Sequence, residues 1–63
     1  KILPGSVLEY DYKFYDMHGD IWIFREMGIV VKKIKNYVLL VNSEGRYREL
    51  KNLKYSNITI VKE

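Results

Sequence analysis

The sequence predicts an all-β domain, a single small barrel of five or six antiparallel strands with one 3-10 turn before the last strand. Three observations predict it. Short runs dense in Ile, Val, Leu and Tyr recur along residues 1–63, separated by Gly, Asn and Ser, as strands punctuated by turns would be. Two of the breaks, Lys35-Asn36 and Asn42-Ser43-Glu44-Gly45, are short enough to close hairpins. Between Gly28 and Leu50 both strand faces mix Val, Leu and Tyr with Lys and Arg. A bent barrel accommodates that mixture better than a flat sandwich, because bending carries strand ends out of the core.

Taken in order, Pro4-Gly5 punctuates the start, and Ser6 to Tyr12 alternates as a strand with Leu8 and Tyr10 as its core pair. Lys13 to Asp20 mixes aromatics with turn formers and is expected to be a long loop or irregular hairpin, with His18-Gly19-Asp20 at its apex. Ile21 to Phe24 returns as a short strand, and Arg25 to Gly28 is expected to turn the chain into the central meander. There Ile29 to Ile34 and Tyr37 to Val41 form two strands, with Asn36 supplying the positive φ of a two-residue turn and Ile34 opposite Tyr37. A helix over Ile29 to Val41 is disfavoured by Gly28, the β-branched run Ile29-Val30-Val31 and the break at Asn36. The next hairpin places Val41 opposite Arg46, Leu39 opposite Arg48 and Tyr37 opposite Leu50. Lys51 to Asn57 then loses alternation, which predicts a 3-10 turn with Leu53 tucked inward. Ile58 to Val61 is the closing strand.

Sixty-three residues, 48% of them hydrophobic, form one domain, and a chain of this size buries only about 60% of its unfolded surface. The absence of cysteine removes disulfides and thiolate metal sites, so apolar packing must hold the fold; it also agrees with a reducing, cytoplasmic location. No apolar run approaches the roughly 20 residues that cross a bilayer, and no membrane role is expected. The net charge of +3 favours polyanionic partners without demanding them. Eight Lys stand against three Arg, with Ile, Asn and Tyr plentiful and Ala and Gln absent. These are residues of A/T-rich codons, pointing to a low-GC bacterium or one of its phages.

The early Pro4-Gly5-Ser6-Val7, the Gly28-Ile29-Val30-Val31 strand, the Tyr37 to Val41 strand, the return Gly45-Arg46-Tyr47-Arg48-Glu49-Leu50 and the Leu53 turn before Ile58-Thr59-Ile60-Val61 together resemble the SH3-like barrels. The resemblance is to the KOW and Tudor-like modules of translation and transcription proteins, and it covers nearly the whole chain. It implies a single SH3-like barrel over residues 1–63. In such barrels the long first loop often forms an aromatic-lined groove that takes peptides, including polyproline helices.

Two surfaces carry candidate function. Lys32, Lys33, Lys35, Arg46, Arg48, Lys51 and Lys54 fall on adjacent strands and the turn after them, with Tyr37, Tyr47 and Tyr55 among them. Cations for a phosphate backbone beside aromatic faces for bases are how small barrels hold single-stranded nucleic acid. The same lysines would also keep a small barrel soluble and block edge pairing. The second surface is the aromatic first loop, with Tyr12, Phe14, Tyr15 and Trp22 as its protein-binding residues and Tyr10 and Phe24 nearby. Its structural alternative makes Trp22 and Phe24 the core's large anchors.

Asp11, Asp16, His18 and Asp20 match neither an EF-hand nor a zinc spacing and read as turn residues. One His, no Cys and no Gly-rich phosphate loop argue against an enzyme. The expectation is therefore a non-enzymatic binding module with no cofactor and no metal. Nucleic acid (RNA or DNA) is its first candidate partner. The alternative is a protein partner, for instance a host enzyme bound and modulated by a phage-encoded factor. The module is a monomer, or a homodimer formed through an edge strand such as Ile58 to Val61.

Overall fold

The computed structural model describes residues 1–63, the side chain of Tyr55 excepted. It is all-β: β1 (Val7–Tyr15), β2 (Ile21–Ile34), β3 (Tyr37–Asn42), β4 (Tyr47–Leu50) and β5 (Thr59–Lys62) form one antiparallel sheet in the order β4-β3-β2-β1-β5. The sheet is not closed into the expected barrel, for β4 and β5 remain its two edges. Both are only four residues long. The open side is covered instead by the segment joining them. That segment makes a short turn at Leu53–Tyr55, and Asp11 N donates to Ser56 O at 2.8 Å. Leu53 and Ile58 pack from it onto the core of Leu8, Tyr10, Val30, Val38, Leu40 and Leu50.

The largest departure from expectation is the first hairpin. Lys13 to Tyr15 continues β1, and Arg25 to Gly28 does not turn but runs inside a 14-residue β2. The pairing extends without interruption from Val7↔Ile29 to Tyr15↔Ile21. β2 is shared between neighbours, its first part pairing with β1 and its second with β3, while Gly28 and Ile29 pair with both. A register shift between Val30 and Lys32 bends its far end. Gly28 marks a close approach: a Cβ there would stand 3.0 Å from both the Tyr10 hydroxyl and the Val41 carbonyl oxygen.

The β3–β4 hairpin is set one residue away from the expected register. Val41 faces Tyr47, Leu40 faces Arg48, Leu39 faces Glu49 and Val38 faces Leu50. Asn42 causes the shift, because its Oδ1 accepts from Glu44 N at 3.0 Å and Arg46 N at 2.9 Å while its N donates to Arg46 O. The turn thereby takes in one residue more, with Gly45 in its left-handed position at φ 78°. In a sheet such a slip exchanges the faces of a strand, so Arg48 and Leu50, rather than Tyr47 and Glu49, join the buried side. The β2–β3 turn pairs Ile34 with Tyr37 as expected. Its left-handed residue is Lys35 (φ 48°), not Asn36.

Candidate interaction surface: the β1–β2 arm

Because β1 and β2 outrun the rest of the sheet, their outer halves project as an arm, and the molecule measures 37 × 24 × 16 Å. The arm ends in a five-residue turn organised by one carboxylate. Asp16 Oδ1 accepts from His18 N at 2.9 Å and Asp20 N at 3.0 Å, and Oδ2 accepts from Trp22 Nε1 at 2.9 Å. Gly19 closes the turn at φ 83°. The indole donation, aided by the Asp20 and His18 N–H groups, holds the Asp16 carboxyl below its ordinary range.

Alternation gives the arm two faces. Tyr12↔Phe24 and Phe14↔Trp22 are directly opposed pairs on the side that carries Leu8 and Tyr10, so four aromatic rings continue the core face beyond the core. Phe14 is 45% exposed, and Trp22 and Phe24 are each 50% exposed. The outer face carries Tyr15↔Ile21 and Lys13↔Ile23, and Tyr15, Ile21 and Ile23 are also exposed. Apolar side chains therefore occupy both faces of the arm's outer part, where β1 and β2 pair only with each other.

Where the arm meets the body, a polar cluster sits beside the core. Glu26 Oε2 accepts from the Tyr10 hydroxyl at 2.7 Å and from Arg48 Nε at 3.0 Å, and the Arg48 guanidinium lies 4.1 Å from the centroid of the Tyr12 ring. Burial, with the Glu26 carboxylate behind it, raises the Tyr10 hydroxyl well above the ordinary phenol range. On the outer face Arg25 reaches Glu9 and Asp11 and donates to Thr59 Oγ1 at 3.1 Å, tying the arm's root to β5. An open groove of about 680 Å³ lies between the aromatic face of the arm and the β3–β4 turn; Tyr12, Phe14, Phe24, Glu26, Arg46 and Arg48 line it.

Of the sequence-predicted protein-binding residues, Tyr12, Phe14 and Trp22 share this face and Tyr15 lies on the opposite one. Phe24, which the sequence also allows as a core anchor, completes the aromatic set. The predicted nucleic-acid residues divide. Lys33, Lys35 and Lys51 lie toward the β2–β3 turn, whereas Arg46 and Arg48 lie near the opposite end of β3. Lys32 pairs with Leu39 on the outer face, opposite to Arg48 on the core face. Lys33 Nζ donates to Lys35 O, and the Tyr37 hydroxyl donates to Glu49 at 2.9 Å. Lys54 is exposed in the segment after β4; the side chain of Tyr55 lies outside the described residues. Among the described residues no helix is long and apolar enough to cross a membrane. Comparison with known proteins gives no significant match to any family model, curated protein or solved structure.

Proposed function

We propose that the protein is a small non-enzymatic binding module that docks on another protein through its β1–β2 arm. One observation carries this reading: Phe14, Trp22 and Phe24 on one face, and Tyr15, Ile21 and Ile23 on the other, stand exposed on a projecting ribbon. Contiguous exposed apolar surface of this kind marks interaction sites, and an element apolar on both faces suits insertion into a cleft. The arm's end rules against a lipid occupant, since its turn carries Asp16 and Asp20 and leading carboxylates into hydrocarbon is costly. A protein cleft with apolar walls and a basic rim fits the same features. A five-stranded antiparallel sheet is compatible with a small β fold, and the SH3-like resemblance of the sequence supports a binding role.

Site-specific photo-crosslinking tests the reading. A crosslinker at position 14 or 24 should capture one heterologous protein, resistant to nuclease, while the same group at position 32 should not. Capture from position 32 alone, or of nucleic acid from every position, would refute it.

A second reading has its own observation. Lys33, Lys35 and Lys51 gather toward one end of the sheet, where they could contact phosphates. Binding of a single-stranded oligonucleotide that weakens steeply with salt, and is lost in Lys33→Glu/Lys35→Glu, would favour it.

A further inference from the structure

We infer that the free protein covers its arm with a second copy of itself, in a two-fold dimer whose arms lie antiparallel with their aromatic faces together. The inference rests on the arm being a docking surface and names what occupies it before a partner does.

Charge carries the argument. The turn Asp16–Asp20 holds two carboxylates and no Lys or Arg, so with a chain total of +3 the remainder carries +5. Three arginines and two glutamates line the groove; Arg25 and Arg48 are paired with carboxylates of their own chain, which leaves Arg46 as the groove arginine with no side-chain ion pair among the described residues. Each protomer thus has an acidic tip and, beside the groove at the other end of the same aromatic face, an unpaired cation.

Symmetry makes these ends meet. If the two-fold axis passes at the Phe14↔Trp22 pair, the turn begins two residues beyond it, and two residues on the other side lies the Tyr12↔Phe24 pair at the groove. At about 3.3 Å per residue the tip of one arm lies over the other's groove mouth, with Asp20 on the side of the groove that Arg46 of the second copy lines together with Phe14 and Phe24. Parallel arms would instead set tip against tip and bring four carboxylates together. Aromatic side chains each bury about 150–250 Å², so the three half-exposed rings of each arm supply roughly 600 Å² over two arms. With the two tips added, the contact approaches the lower end of the roughly 1,200–2,000 Å² typical of specific pairs. The sheet edges are weaker candidates, as β4 and β5 are four residues each.

Sedimentation equilibrium of the full chain, from low micromolar to submillimolar concentration, tests the inference. The expected result is a reversible dimer. Asp20→Lys and Arg46→Glu should each weaken it roughly tenfold, because two symmetry-related contacts become repulsive, and the double variant should recover most of that loss. Both side chains are exposed, so unchanged thermal melts will show that the fold is retained, and Lys32→Glu on the outer face should leave the dimer intact. A chain monomeric at every concentration would overturn the inference. So would a dimer indifferent to both single charge reversals. Neither result touches the docking of a heterologous protein, which the crosslinking from position 14 decides separately.

Discussion

The guanidinium of Arg48 stands 4.1 Å from the ring centroid of Tyr12, and this contact joins the body of the sheet to its projecting arm. Arg48 arrives from β4 and Tyr12 from β1, strands that are not neighbours. The same arginine donates to Glu26, so a single side chain binds the arm's root through a cation–π contact and a charge-assisted hydrogen bond.

Replacing Arg48 should therefore cost stability. Arg48→Ala leaves the half-buried Glu26 carboxylate without its cation and should destabilise by about 1–3 kcal/mol in urea titration. Arg48→Lys should recover only part of that, because a point ammonium cannot hold both the ring and the carboxylate as a planar guanidinium does.

Tyr10 makes stability fall at alkaline pH. Its hydroxyl pKa is raised in the fold, so its contribution is whole below the unfolded value near 10 and is lost as pH rises toward the folded one. Tyr10→Phe should cost about 1 kcal/mol at neutral pH and flatten the fall above pH 10. Chemical denaturation as a function of pH reads both.

Asp16 works with the opposite sign. Its carboxyl is depressed below the ordinary value near 3.8, so its support of the turn is present above that value and lost as pH falls through the folded pKa. NMR titration should place its midpoint below that of an ordinary aspartate, and the Trp22 indole N–H resonance should move with it. In Asp16→Asn that coupled movement should vanish.

Gly28→Ala should destabilise by about 1–3 kcal/mol, because the added methyl meets a backbone carbonyl and a hydrogen-bonded hydroxyl at 3.0 Å. A smaller effect on thermal unfolding would mean that Tyr10 and β3 can give way.

Phe14→Ser and Phe24→Ser should change the melting temperature little, since both rings are about half exposed, yet abolish capture of the heterologous protein. Loss of fold in either variant would return the aromatic face to the core and remove it as a docking surface.

Much of this was legible in the residues. Alternation around Leu8 and Tyr10, the Lys35-Asn36 break and the turn formers near Gly45 determine an all-β chain with its hairpins and core strands in the right order, because side-chain period and turn chemistry are local properties. The aromatic cluster was visible too. Its exposure was not, since apolar residues on both faces of Phe14, Tyr15 and Ile21 to Phe24 read equally as core or as surface. Tertiary structure decided three things. It continued Lys13–Tyr15 and Arg25–Gly28 as strand, because cross-strand pairing outlasts the local preference for turns. Among the local turns open to Asn42-Ser43-Glu44-Gly45 it took the one that Asn42's side chain closes, and that register sent Arg48 inward to Glu26 and Tyr12. The arm came to project beyond its neighbours because β3, β4 and β5 are short, and strand length relative to neighbours is a property of the whole sheet.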